Sequence, residues 1–225
     1  MIKIEKTEVY GWEAAIRGMR NPMNSWDRSD SYTTHIEDPE TLEPADYQYF
    51  VGDNDKDLML RLAKGGAVHA KYRRMIMVTC DITAPLYWWK EYDTYKVGTV
   101  ANSCSTMHKI HDKPFTMDDF STEHLMVSGT EIMMRTIKAL NDCRNAYVNY
   151  DNWDNNGFNK PTKKTIWYQM IQLLPSSYNQ KRTVLLNYEV LAGIYPMRKD
   201  HKLDEWHTFC DWIRNLPHSD VIIGE

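Results

Sequence analysis

Several groups of residues in this 225-residue chain have types and spacings that could do chemistry. His108-x-x-His111, with His124 farther on, is the histidine cluster to test for metal, because two histidines three apart on a helix can converge on one ion. The region reads as loop, with no cysteine or carboxylate pattern beside it, so surface or site-lining histidines are expected and no metal. Arg61, Lys64, Lys71, Arg73 and Arg74 form a local basic patch. It reads either as a solvated strand edge or as a phosphate contact, since guanidinium offers a two-pronged fork to phosphate oxygens. Trp88, Trp89 and Tyr92 become neighbours across one helical turn, which suits a core, an interface or a stacking platform for a flat ring. The loop TVANSCSTMH (99–108) is dense in hydroxyls and amides that could grip a phosphate or a pyrimidine edge, although such residues are common in loops. Its thiol, Cys104, has no evident activating partner. Arg198 follows Pro196-Met197 at the end of a helical segment, where a cation ordinarily complements the helix dipole. No G-x-S-x-G, P-loop or G-x-G-x-x-G motif occurs.

The elements that must position these residues follow from hydrophobic period. Residues 1–9 alternate as a strand, and 10–20 carry a helical pattern stopped by Asn21-Pro22. Residues 24–57 hold ten Asp/Glu against Arg28 and Lys56, which reads as surface loops and turns with a helix near 43–51. A short helix is expected over 57–64. Residues 72–83 are the clearest strand, with Ile76, Val78, Cys80 and Ile82 on one face. Thr83-Ala84-Pro85 then opens a helix over 85–95. Residues 96–116 read as irregular loop and 123–150 as a long helix, with Leu125, Ile132, Ile137, Leu140 and Val148 on its apolar side. A loop is expected over 151–161, helices over 162–173 and 178–195 split by Leu174-Pro175, and a last helix over 203–215. No repeat or internal boundary is visible, so the chain reads as one α+β domain over residues 1–225.

Composition narrows the classes. With 27 Lys+Arg against 31 Asp+Glu the net charge is -4, which disfavours a general phosphate-backbone binder, so no nucleic acid is expected as partner. The mean hydropathy of -0.61 and the lack of a long apolar run argue against a spanning helix. MIKIEKTEVYGW has no apolar signal core, and Cys80, Cys104, Cys143 and Cys210 are dispersed without a CxxC pair, so reduced thiols and a cytoplasmic location are expected. The unusual counts are 8 Trp, 14 Tyr and 13 Met against 10 Gly, a large supply of flat, polarizable surface.

The order of the pieces resembles the flavin-dependent thymidylate synthases. GGAVHAKYRRMIMVTCDITAPLYWWKEY (65–92) is similar to the family's Gly-His-x-x-x-Phe-Glu-His stretch, strand, Ala-Pro step and aromatic helix. NSCST (102–106) falls at the family's Asn-Glu-x-Ser-x-Arg-Tyr loop. LLPSSYNQKRTVLLNYEVLAGIYPMRKDHKLDEWHTFCDWI (173–213) resembles its Leu-Pro, Asn-x-Arg, Leu-Arg and Gln-Trp-Glu series. The resemblance covers about two-thirds of the chain, with low identity. It implies a small, mainly antiparallel sheet packed on long helices. It also implies reductive methylation of a pyrimidine deoxynucleotide, dUMP to dTMP or a related substrate, with FAD, NADPH and methylene-tetrahydrofolate. The family works as a homotetramer with sites shared between subunits. Position by position, His69 and Asn187 match flavin contacts, and Arg198 matches the arginine that binds and polarises the uracil ring. Asn102, Ser103 and Ser105 fall in the nucleotide-holding loop. Lys96 keeps the one positive charge of the Arg-His-Arg signature, which lies near Thr94-Tyr95-Lys96.

The chain departs from the pattern at several cations. The second arginine of the nucleotide loop falls near Thr106 or Met107, the arginine before Leu-Pro falls near Ile171, and the arginine two past the flavin asparagine is Glu189. Each loss removes a charge-assisted contact, typically about 1.5–3 kcal/mol. Arg73, Arg74, Lys90 and Arg182 are the candidates to compensate. A non-catalytic nucleotide- or flavin-binding protein on the same fold is the alternative reading, and an unrelated α+β protein is the third.

Overall fold

A computed structural model describes residues 1–37, 44–152 and 160–224, with the side chains of 35–37 and 44–47 excepted. It is a mixed helix-and-sheet structure with a small antiparallel sheet, as the resemblance implied. Strands β1 (Lys3–Tyr10), β4 (Met77–Pro85), β6 (Asn179–Asn187) and β5 (Val100–Ser103) lie side by side in that order. A separate antiparallel pair joins β2 (Tyr32–Glu37) to β3 (Pro44–Phe50), with Tyr32 opposite Phe50 and Thr34 opposite Gln48. The helices are α1 (Trp12–Arg20), α2 (Asp53–Lys64), α3 (Leu86–Tyr92), α4 (Val127–Val148), α5 (Lys163–Leu173), α6 (Tyr188–Arg198), α7 (Asp204–Arg214) and α8 (Asp220–Ile223).

The chain divides into two compact units. One comprises Met1–Lys3, Ile82–Thr94 and Asn102–Thr183. Its core gathers Ile110, Phe115, Phe120, Met133, Ile137, Leu140 and Met170, where α4 and α5 pack together. The expected apolar side of α4 is only partly internal: Ile137 and Leu140 are buried, whereas Ile132 is 65% exposed and Val148 50%. Trp88, Trp89 and Tyr92 of α3 are at most 2% exposed, and Trp88 stacks on Tyr92 at 5.1 Å. These rings are core and not a stacking platform for a ligand.

The other unit comprises Ile4–Asp81, Tyr95–Ala101 and Val184–Glu225. In it α6 packs on α7 and α8, and Ile76, Val78 and Cys80 of the clearest predicted strand face the core. Asp55, at the start of α2, gives a structural purpose to part of the acidic stretch. Its carboxylate is fully buried and takes Arg20 Nε at 2.5 Å, Ser29 Oγ and Ser31 Oγ at 2.7 Å each, and the Ser31 backbone N–H at 3.1 Å. Burial by itself raises the pKa of this carboxyl. The hydrogen bonds from Ser31, Ser29 and Arg20 together outweigh that and hold it below its ordinary value.

Several expected elements differ from those found: β5 lies in the stretch expected as irregular loop, and β2 in the one expected as loops and turns. Residues 178–195 do not form one helix: β6 runs to Asn187 and α6 starts at Tyr188. The strand forms because its backbone pairs between β4 and β5, a distant partnership that a local window does not contain. The helix expected near 43–51 is β3 instead. Thr33, Thr34, Tyr49 and Phe50 supply β-branched and aromatic content that favours a hairpin. The loop expected over 151–161 lies mostly outside the described residues.

Candidate functional site

Arg198 closes α6, with Pro196 inside the helix near its end. Its Nε donates to the Tyr95 hydroxyl at 2.8 Å. The guanidinium carbon lies 4.5 Å from the Trp206 ring centroid and 5.5 Å from that of Tyr95. Trp206 is fully buried on α7 and meets Tyr95 edge-on at 6.1 Å and His201 at 6.3 Å. An in-plane hydrogen bond and an aromatic face together fix both the position and the tilt of a planar cation. Arg198 is half-buried, so this held cation still reaches the surface. Nothing in the sequence singles out Tyr95 and Trp206 as the residues that hold Arg198. Tyr95 stands in the segment where the family has Arg-His-Arg, and only the lysine beside it carries an obvious charge.

Asn187 is the N-cap of α6. Its Oδ1 accepts the Val190 backbone N–H at 3.0 Å, satisfying one of the orphan donors at the helix start. Gly98 sits at φ +80 close by: a Cβ there would come within 3.3 Å of Asn187 Nδ2 and 3.1 Å of Val190 Cγ2. Glycine thus lets the turn after exposed Lys96 approach the Asn187 amide. Two residues on, Glu189 Oε2 lies 3.7 Å from Arg73 Nη1. Arg73 is 8% exposed, so the carboxylate that replaces the family arginine is met by a buried cation from the single turn Lys71–Arg74. Among the described residues Arg73 Nε and Glu189 Oε2 have no hydrogen-bond partner. His69 is exposed just after α2, with its ring against Gly65, where a Cβ would lie 3.1 Å from His69 Cδ2. Among the described residues no hydrogen bond or ring contact joins His69 to Asn187 or Arg198.

In the other unit, Asn102 and Ser103 end β5, and Ser105 opens the turn that follows; all three are exposed. Ser105 Oγ accepts the backbone N–H groups of His108 at 2.8 Å and Met107 at 3.2 Å, which folds the loop back on itself. Cys104 N–H donates to the Lys181 carbonyl at 2.9 Å, pinning the middle of the loop to β6. Arg182 is largely occupied: Nη1 donates to Asp93 at 2.8 Å and Nε to Gln180 at 3.0 Å. Arg74 and Lys90 are exposed. The His111 ring meets that of Tyr147 at a tilt, with centroids 4.6 Å apart, and lies 3.7 Å from Asp112, and among the described residues no group of three metal-ligating side chains gathers.

No family model matches the sequence, and no curated protein matches it by sequence either. The structure, in contrast, is similar to solved ones. Flavin-dependent thymidylate synthase ThyX from Helicobacter pylori, complexed with FAD and dUMP, superposes with a TM-score of 0.64 at 15% identity, over 98% of this chain and 98% of that one. A structure of the same enzyme with FAD and dUMP at 2.31 Å matches with the same score and identity, over 100% of this chain and 98% of that one. No helix among the described residues is long and apolar enough to cross a membrane. The chain therefore has the fold of the flavin-dependent thymidylate synthases.

Proposed function

We propose that the protein is a divergent flavin-dependent nucleotide synthase that reductively methylates a pyrimidine deoxynucleotide, dUMP to dTMP or a related substrate. The observation that carries this reading is Arg198, held by Tyr95 and Trp206 on a fold whose solved examples contain FAD and dUMP. A fixed guanidinium of this kind stabilises negative charge as it develops on a pyrimidine carbonyl oxygen, and needs no reorganisation to do so. Asn102, Ser103 and Ser105 supply amide and hydroxyl donors for the nucleotide.

The residues present also suit a flavin. Asn187 keeps its Nδ2 beside the bare backbone of Gly98, a gap that a Cβ would fill, and His69 and Lys96 add a ring and a cation. When bound, FAD reduced by NADPH supplies hydride, and methylene-tetrahydrofolate the one-carbon unit. The chain's own part is to bind, orient and polarise. A homotetramer with shared sites accords with the exposed apolar residues Ile132, Met134 and Val148 on α4.

Titration with FAD tests the reading. The bound chain is expected to show oxidised-flavin absorbance, and dUMP to accelerate oxidation of the reduced flavin. A colourless protein that FAD does not alter counts against it, as does Arg198→Ala with unchanged dUMP-dependent oxidation. The second reading, a non-catalytic binding protein on this fold, is favoured by Glu189, whose negative charge stands where the family carries an arginine. Binding of FAD and dUMP without dUMP-dependent flavin oxidation is the outcome that selects it.

A further inference from the structure

The exposed loop Asn102–Ser105 is held from behind by a chain of side chains that ends in a buried stack. Gln180, 7% exposed on β6, donates from Nε2 to the Cys104 carbonyl at 2.8 Å. Its Oε1 accepts from Arg182 Nε at 3.0 Å, so both ends of the carboxamide are used and its orientation is set. Arg182 is fixed in turn by Asp93 at 2.8 Å and by the face of Trp89, whose centroid is 4.1 Å from the guanidinium carbon. Trp89 is 1% exposed, and its indole N–H donates to the Gln180 carbonyl at 2.9 Å, closing the circuit. With the Cys104 N–H on the Lys181 carbonyl, both polar backbone groups of Cys104 are anchored to β6.

We propose that Arg182, acting through Gln180, is a positioning residue that sets the backbone of Cys104 and so aims Ser103 and Ser105 at a pyrimidine nucleotide. This rests on reading 102–105 as the nucleotide loop. Two of the guanidinium's three nitrogens and one of its faces are spent inside the protein, so Arg182 acts through the loop and not as a phosphate clamp. A loop whose own arginine is missing gains its order from the strand beneath it.

The decisive variant is Gln180→Glu. It keeps the acceptor for Arg182 and removes the donor to Cys104, leaving an oxygen facing an oxygen. Hydrogen exchange over 102–106 is expected to rise about tenfold or more. Affinity for dUMP is expected to fall about tenfold, while the thermal midpoint stays within a few degrees. Arg182→Lys keeps the charge opposite Asp93 but loses the fork, and should give a smaller effect of the same kind. The double variant should be no worse than Gln180→Glu alone, because both act along one chain of contacts. Wild-type exchange in Gln180→Glu overturns the proposal, and so does a loosened loop with unchanged dUMP affinity. If the wild-type chain ignores dUMP, the nucleotide reading fails on its own, and exchange over 102–106 alone decides whether Arg182 and Gln180 order the loop.

Discussion

Removing one oxygen from Tyr95 tests whether the cation at the end of α6 is held for a ligand. In Tyr95→Phe the ring stays, so its edge contact with Trp206 is retained, but the acceptor 2.8 Å from Arg198 Nε is gone. A hydrogen bond from a charged group is worth about 1.5–3 kcal/mol when buried. Arg198 is half-buried, and water can replace part of what the phenol gave, so about 1 kcal/mol is the expected net loss. The Trp206 face, 4.5 Å from the guanidinium carbon, still limits tilt but no longer sets rotation in the plane. A loss of about 1 kcal/mol corresponds to about a fivefold weaker Kd for dUMP by calorimetric titration. For a chain of this length the same change in stability lowers Tm by about 2–4 °C, measurable in parallel by thermal denaturation. Arg198→Ala should weaken dUMP by more than the tyrosine variant and lower Tm by at least as much, since it removes the same hydrogen bond and the contact with the Trp206 face. If Arg198→Ala loses affinity while Tyr95→Phe stays within twofold of wild type, the hydrogen bond does not orient the cation and the reasoning fails.

Three further outcomes follow from the geometry. Asp55→Asn breaks a buried ion pair and should cost about 3–5 kcal/mol in urea denaturation at neutral pH. Because the folded carboxyl has a lowered pKa, its contribution is complete above the unfolded value of about 3.9 and is lost as pH falls through the folded one, so the variant should show a flatter acid limb. Gly98→Ala places a Cβ at φ +80 and 3.1 Å from Val190 Cγ2, which should cost about 1–3 kcal/mol and weaken FAD binding, read by denaturation and by flavin absorbance. Iodoacetamide followed by peptide mass spectrometry should modify exposed Cys104 first. Burial pushes the Cys80 thiol up to about 12 and the Cys210 thiol up to about 11, so early labelling of either would contradict the packing.

What was legible in the sequence was local. The alternation Ile76, Val78, Cys80, Ile82 is a strand pattern by itself, and Thr83-Ala84-Pro85 marks where the chain turns into α3. The contiguous Val184, Leu185 and Leu186 fit a helix as well as a strand, because an apolar run carries no period. What decided the matter was pairing with β4 and β5, and the N-cap at Asn187 marks the switch only once the strand is known. The acidic stretch was opaque for a similar reason. Asp55 differs from the surface carboxylates around it only because Arg20, Ser29 and Ser31 converge on it from 24 to 35 residues away in sequence. The ordered resemblance pointed to the fold and to Arg198, but not to the residues that hold Arg198 in place. Tyr95 and Trp206 are 111 positions apart and meet only through the folding of α6 and α7.

The arginines that were candidates to compensate for the lost family cations are met mostly from within the chain. Arg73 faces Glu189, and Arg182 faces Asp93 and Gln180. A buried guanidinium that already has a carboxylate partner gains little by exchanging it for a phosphate, since the desolvation has been met and the old partner would be stranded. Of the remaining candidates, Arg74 and Lys90 are exposed, as is Lys96. Exposed ion pairs are worth about 0–1 kcal/mol and are screened by salt. Neither Arg73 nor Arg182 can therefore take over from a lost family cation without stranding its own carboxylate.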